Sequence, residues 1–143
     1  MTDRMAGAVL LDTHVLVWLV AGDTRLSLPA RQRIEEAAQR NAAWVSAITP
    51  WEIGMLVAKD RLALTQDAQE WMEQVLALPG LRLAPLEPAI AVASSRLPGD
   101  PHGDPADRII VATARHHGAT LITADDKLLA YGTAGHVKVL SAV

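Results

Sequence analysis

A chain of 143 residues is long enough to bury a core of its own, and we expect one domain over residues 1–143. Half of the residues are apolar and only 20% are charged, a composition that excludes disordered and fibrous proteins. The net charge of −3 argues against holding nucleic acid by bulk electrostatics alone, and the absence of cysteine excludes disulfide frameworks and zinc–thiolate sites.

Apolar runs alternate with helical patterns along the chain, which is typical of proteins built on a parallel sheet. The predicted elements, in chain order, are strand Ala8–Leu11, helix Val15–Val20, a helix that starts after Ser27 and ends near Asn41, strand Ala43–Ile48, helix Thr49–Lys59, helix Thr65–Leu78, strand Leu81–Leu86, helix Pro88–Leu97, loop Pro98–Pro105, helix Asp107–His117, strand Ala119–Thr123, helix Lys127–Tyr131 and strand His136–Leu140. This order predicts an α/β fold with helices on both faces of the sheet.

The most apolar N-terminal stretch, Ala8–Ala21, contains Asp12 and His14 and is too short to span a bilayer. It also lacks a small-residue cleavage site in the right place, which argues against a signal peptide. We therefore expect a cytoplasmic protein without a membrane partner.

Acidic residues follow or flank four apolar runs of the chain. They are Asp12, Glu52, the pair Asp104 and Asp107, and the pair Asp125 and Asp126. The carboxyl ends of parallel strands share one edge of a sheet, where these carboxylates would converge and repel one another. Hard divalent cations are the usual remedy for such a cluster, and the pattern therefore predicts a metal-dependent hydrolase.

Most of these acids, taken singly, also have a purely structural interpretation. Glu52 can complete a capping box with Thr49, since Pro50 suits the first helical position. Asp104 can cap the helix that follows it, and Asp107 suits a first helical turn. Asp12 is harder to explain in this way, because a buried carboxylate at a strand end must cap a helix or meet a cation.

Four blocks of the sequence together resemble a known family. They are LLDTHVLVWL, SAITPWEI, HGDPADRIIVATA and LITADD. In order and spacing they are similar to the conserved blocks of PIN-domain ribonucleases, above all the toxins of VapBC toxin–antitoxin pairs. The resemblance implies a three-layer α/β/α fold with a central, mostly parallel sheet of about five strands. Gly103 and Ala106 depart from the pattern, because relatives commonly have a basic residue and a bulky apolar residue there.

By this resemblance the four catalytic acids are Asp12, Glu52, Asp107 and Asp125. An oxygen-only ligand set with retained waters favours Mg²⁺, with Mn²⁺ as a substitute. We assign Asp12, Asp107 and Asp125 to the metal, directly or through water. Glu52 would hold a water or act as the base in cleavage of an RNA phosphodiester.

Further residues would support this site. The resemblance matches Asp104 and Arg108 to an additional acid and an arginine of the family, and we place both behind the ligands. Thr13 and Thr123 adjoin two of the acids, where they could orient carboxylates or waters, or equally cap helices and fill space. The resemblance also implies a cognate antitoxin and a homodimer as partners.

The remaining candidates receive simpler interpretations. The five histidines lack metal-ligand spacing, so we expect no zinc site. Trp18, Trp51 and Met55 are expected in the core. The resemblance also allows part of the surface formed by these three residues to receive the antitoxin. Three alternatives stay open: a PIN-fold nuclease of RNA processing outside any toxin system, a phosphotransfer enzyme of the haloacid-dehalogenase or receiver kind, and a non-catalytic binding module. The second normally needs a further acid near the first strand, and the haloacid-dehalogenase position is occupied by His14.

Overall fold

The computed structural model describes residues 7–101 and 103–143, and its centre is a five-stranded sheet in which every strand pairing is parallel. The strands are β1 (Val9–Leu11), β2 (Ala43–Ser46), β3 (Leu81–Ala84), β4 (Thr120–Thr123) and β5 (Val139–Ser141). Their order across the sheet is β3-β2-β1-β4-β5, which places β1 at the centre. The prediction of a mostly parallel sheet of about five strands is confirmed.

Helices cover both faces of this sheet and complete a three-layer α/β/α architecture. They are α1 (Thr13–Ala21), α2 (Leu28–Gln39), α3 (Thr49–Ala58), α4 (Ala68–Leu76), α5 (Pro88–Ser94), α6 (Pro105–His117) and α7 (Asp126–Thr133). Every side chain of β1 is at most 1% exposed, which a central strand with both faces covered requires. Among the described residues, no helix has the length and apolar character needed to cross a membrane.

The central strand fixes where the acidic residues meet. Leu11, the last residue of β1, is paired with Val45 of β2 on one side and Ile122 of β4 on the other. The next backbone N–H, that of Asp12, donates to the carbonyl of Ile122 at 3.0 Å. Because these strands are parallel, the chain leaves β1, β2 and β4 at the same edge of the sheet.

Several predicted boundaries are corrected by the residues that cap or break the elements. Helix α1 begins at Thr13 rather than Val15, and α6 begins at Pro105 rather than Asp107, since Asp12 and Asp104 are the N-caps. Helix α4 begins at Ala68 rather than Thr65, because the side chain of Asp67 accepts from the N–H groups of its first turn.

Other predicted elements are too long or displaced. Strand β3 ends at Ala84, because Pro85 removes the next N–H from the ladder. Helix α5 ends at Ser94 rather than Leu97, and β5 begins at Val139 rather than His136. The predicted loop Pro98–Pro105 loses its last residue to α6, and its residue 102 lies outside the described residues.

Candidate active site

Asp12 is held by two strands and by the helix that it caps. Its side chain is 4% exposed; Oδ1 accepts from the backbone N–H of Thr13 at 2.8 Å, and Oδ2 accepts from Oγ1 of Thr123 at 2.7 Å. Burial raises the pKa of Asp12, the two hydrogen bonds lower it, and the nearby charge of Asp125 raises it again. Both oxygens are therefore fixed in a poorly solvated place, where an uncompensated negative charge is costly.

Glu52 lies in the first turn of α3 and turns toward α1. Its Oε1 accepts from Oγ1 of Thr13 at 2.6 Å, and the same hydroxyl lies 3.1 Å from Oγ1 of Thr49. The capping-box interpretation is wrong, because Ile48 is the N-cap residue of α3 and makes no side-chain cap hydrogen bond. The contact across 39 residues of sequence, rather than a local cap, determines where the Glu52 carboxylate lies.

Two acids stand at the start of α6. Oδ1 of Asp104 accepts from the backbone N–H of Asp107 at 3.0 Å, so the predicted N-cap is confirmed. Asp104 is exposed, whereas Asp107 is half-buried. The first turn of α6 therefore carries one half-buried carboxylate, that of Asp107, and is capped by one exposed carboxylate, that of Asp104.

Asp125 is at once a helix cap and a neighbour of Asp12. Its Oδ1 accepts from the backbone N–H groups of Lys127 and Leu128, at 2.8 and 3.2 Å. Its own N–H donates to Oγ1 of Thr123 at 3.0 Å, and that hydroxyl donates to Asp12. Capping a helix and belonging to the cluster are therefore compatible roles, and the sequence could not decide between them.

Electrostatic coupling shows that these acids converge. Desolvation raises the pKa of Asp107 to about 7, with further increases from the charges of Asp12, Asp104, Glu52 and Asp125. Desolvation also raises the pKa of Glu52, the hydrogen bond from Thr13 lowers it, and the charges of Asp12 and Asp104 raise it again. We refer to Asp12, Glu52, Asp104, Asp107 and Asp125 as the acid cluster.

The acid cluster fits a hard divalent cation. It offers only carboxylate oxygens, supported by hydroxyl groups, and a cation would relieve the repulsion that favours a proton on Asp107. Within the described residues, no three acids of the cluster have ligand atoms within 4.8 Å of one another.

Arg108 is engaged on another side of α6. Its Nε donates to the carbonyl oxygen of Ser94 at 2.9 Å, which ties α6 to the end of α5. This contact gives Arg108 a packing role, and its expected role behind the metal ligands stays a prediction.

Some polar residues of the site have no signal in the sequence. Thr49 and Ser46 are buried, and Ser46 Oγ accepts from the N–H of Ile48, which shapes the turn between β2 and α3. Thr49 reaches Thr13 only because α1 and α3 pack together at the sheet edge. A threonine before proline looks like an ordinary helix start, so sequence alone could not identify this contact.

One expectation about the remaining residues is wrong, and one group of side chains was not anticipated. Trp51, expected in the core, is 56% exposed, whereas Trp18 and Met55 are partly buried. The histidines are not all isolated, because His116 and His117 meet Glu87 with their ligand atoms within 4.8 Å of one another. Glu87 lies 29 residues earlier in the chain, so no motif spacing could have revealed this group.

Helices α3 and α4 form an apolar groove of about 410 Å³ near Trp51. It is lined by Pro50, Gly54, Ala68, Gln69, Met72, Glu73 and Leu76. An ideal Cβ placed on Gly54 meets no atom within 4 Å, so the floor of the groove is open at this residue. We refer to these seven residues as the α3–α4 groove.

Comparisons with known proteins agree with this geometry. The model of the PIN domain matches residues 9–133. Ribonuclease VapC22 of Mycobacterium tuberculosis is 38% identical over 120 residues, which cover 84% of this chain and 88% of the relative. Two solved structures share the fold: VapBC2 from Rickettsia felis bound to a promoter DNA fragment (TM-score 0.68, 17% identity, 94% and 98% of the two chains) and a toxin–antitoxin complex from Klebsiella pneumoniae (TM-score 0.64, 24% identity, 95% and 98%).

Proposed function

We propose, on the premise that this chain belongs to the PIN-domain family, that it is a metal-dependent endoribonuclease and the toxin of a VapBC-type pair. The observation that carries the proposal is the acid cluster, which gathers carboxylates from four separate segments at one sheet edge. The 38% identity to a protein named as a ribonuclease supports the same activity. The acids that cap helices are part of this cluster, so caps alone do not explain the arrangement.

Mg²⁺ is the proposed ion, with Mn²⁺ as a substitute. Asp12, Asp107 and Asp125 would hold it, directly or through water, because the charges of Asp12 and Asp125 both raise the pKa of Asp107 and that of Asp125 also raises the pKa of Asp12. When bound, such an ion supplies activation of a water nucleophile and neutralisation of charge on the phosphodiester. Asp104 contributes charge at the rim and fixes the first turn of α6 through its bond to the Asp107 N–H.

The side chains of this chain would position the water and take its proton. Glu52 is suited to act as the base, because its raised pKa brings the carboxylate nearer to the working pH than an exposed glutamate. Thr13 fixes Glu52 through Oε1, and Thr123 fixes Asp12 through Oδ2. The two threonines thus hold the base and a ligand in fixed orientations before RNA arrives.

The test is cleavage of single-stranded RNA by the purified chain with Mg²⁺ or with a chelator. We expect cleavage only with the metal, and Asp107→Asn should lower the rate by more than about 100-fold. Asp126→Asn is the matched control, since Asp126 is an exposed acid in the first turn of α7 and should retain full activity. Activity that survives the chelator, or that survives Asp107→Asn, would refute the proposal.

The proposed partners are RNA, an antitoxin and a second copy of the chain. An amphipathic helix of the antitoxin would occupy the α3–α4 groove, a common mode of recognition for an apolar groove between helices. Exposed apolar side chains such as Leu28, Leu86 and Val92 leave room for a homodimer interface, which light scattering would detect. A cytoplasmic location, where RNA and the antitoxin would be met, stays a prediction.

A further inference from the structure

A second group of potential metal ligands lies at the far end of α6 from the acid cluster. His116 and His117 occupy the last turn of α6, immediately before its C-cap Gly118, and Glu87 precedes α5. Nine residues of helix separate Asp107 from His116, a rise of about 14 Å. This distance makes the group a separate site, and its nitrogen ligands select different ions.

The geometry of the three ligands suits a tetrahedral ion. Nε2 of His116 lies 3.4 Å from Oε2 of Glu87, and one ligand atom from each of the three residues falls within 4.8 Å of the other two. Tetrahedral Zn²⁺ with bonds of about 2.0–2.1 Å separates its ligands by about 3.3–3.4 Å. The His116–Glu87 pair already has that separation, and a ligand atom of His117 lies within 4.8 Å of both.

The third ligand is held in place by its neighbours. The ring of His117 stacks on Trp44 with 7° between the planes and centroids 6.2 Å apart, and the guanidinium of Arg82 lies 5.0 Å from the centroid of the same Trp44 ring. The His116 ring stands at 88° to that of His117. Two perpendicular imidazoles, one of them fixed by stacking, lose little conformational freedom when they bind an ion.

Two further observations show that local structure leaves these groups available. Nε2 of His117 is buried and has no hydrogen-bond partner in the described part of the chain. Glu87 is the N-cap residue of α5, yet its side chain makes no cap hydrogen bond. A surface ion pair between His116 and Glu87 would not involve His117, whereas a metal site uses all three residues.

We propose that Glu87, His116 and His117 bind one Zn²⁺ ion, with the fourth position open to water. Two imidazoles and a carboxylate form a ligand set that Zn²⁺ takes with an open position, whereas Mg²⁺ prefers oxygen alone. The bound ion joins the start of α5 to the end of α6. It acts as a clamp on the helix whose other end carries Asp104 and Asp107, and it is independent of the RNA-cleaving activity.

The test is calorimetric titration of the full chain, free of any affinity tag, with Zn²⁺ in millimolar Mg²⁺ that occupies the acid cluster. We expect one Zn²⁺ per chain and a higher melting temperature. His116→Gln and Glu87→Gln should each weaken binding by more than about tenfold. The two side chains are 40% and 48% exposed, so both variants should fold, which circular dichroism checks.

The matched control is His14→Gln, which removes the exposed imidazole near Asp12 and should leave Zn²⁺ binding unchanged. Titration with Co²⁺ gives a second measurement, since its visible absorption reports nitrogen ligation and should be lost with His116→Gln. The proposal is overturned if the wild-type chain binds no Zn²⁺ at micromolar concentrations. It is equally overturned if binding survives both ligand substitutions, or if only the His14 variant loses it.

Discussion

At the scale of single residues, Asp107 links the charge of the acid cluster to stability. Desolvation and the neighbouring carboxylates raise the pKa of its carboxyl from the ordinary value of 3.8 to about 7 in the folded protein. The folded state therefore binds more protons than the unfolded state between these values, and stability falls as the pH rises through this range. We expect the metal-free chain to melt at a lower temperature at pH 8 than at pH 5.

The same residue provides the control for this prediction. Asp107→Asn removes the titrating group, so the fall in melting temperature between pH 5 and pH 8 should become smaller. Millimolar Mg²⁺ should have a similar effect in the wild type, because a cation replaces the proton as the group that offsets repulsion. An Asn variant with an unchanged pH profile would show that Asp107 does not carry the effect.

Thr123 is the residue that fixes Asp12 from the neighbouring strand. Thr123→Val preserves the shape of the side chain but removes the hydroxyl that donates to Asp12 and accepts from Asp125. We expect a loss of about 1.5–3 kcal/mol in unfolding free energy, since the lost bond involves a carboxylate. RNA cleavage should fall about 10–100-fold, the usual cost of removing a group that orients a ligand.

Chemical denaturation and cleavage assays measure the two effects of this substitution. Thr123→Ser keeps the hydroxyl and should restore most of the activity while losing only a buried methyl group. A Val variant with wild-type activity would show that the Thr123 hydroxyl only completes hydrogen bonds at the end of β4 and does not orient Asp12 for catalysis.

At the scale of the elements, the ends of β1 and β4 were predictable because local chemistry marks them. Asp12 and Asp125 each follow a buried apolar run and cap the next helix, so composition and capping rules identify both. The contact of Glu52 with Thr13 joins α1 to α3 and depends on tertiary packing, which a local pattern cannot show. The group of Glu87, His116 and His117 could not be predicted from the sequence for the same reason, because it also depends on tertiary packing.

The α3–α4 groove allows a precise test of the antitoxin surface. Gly54→Arg places a long side chain in the groove, and no atom within 4 Å opposes its Cβ. We expect a melting temperature at or slightly above that of the wild type, because Gly is a poor helix residue. Binding to the cognate antitoxin, measured by calorimetry or pull-down of the co-expressed pair, should be lost.

Gly54→Ala is the matched control for this experiment, since it gains helix propensity but adds only one methyl group to the groove. It should retain the antitoxin. If the arginine variant also binds the antitoxin with wild-type affinity, the groove is not the docking surface.

At the scale of the whole molecule, the alternation of apolar strands and helices along the sequence determines the fold, and the fold brings the acid cluster together. The sequence predicts the three layers because the strands are short, apolar and separated by helices; the exact order β3-β2-β1-β4-β5 depends on packing between distant segments. That order places β1 between β2 and β4, so acids from positions 12, 52 and 125 share one edge. One domain over the whole chain stays a prediction.

A cation at this edge should stabilise the entire fold, because it binds the folded chain and not the dispersed acids of the unfolded one. We expect millimolar Mg²⁺ or Mn²⁺ to raise the melting temperature. The unfolding free energy should increase by about 2.7 kcal/mol when the ion concentration reaches 100 times its Kd. Asp107→Asn should reduce this increase while raising the stability of the metal-free chain, since it removes one repelling charge. Asp126→Asn, outside the acid cluster, should respond to the metal as the wild type does. If Asp107→Asn and the wild type respond equally to the metal, the ion binds elsewhere. If the metal-free Asp107→Asn variant is less stable than the metal-free wild type, Asp107 stabilises the fold instead of binding the ion.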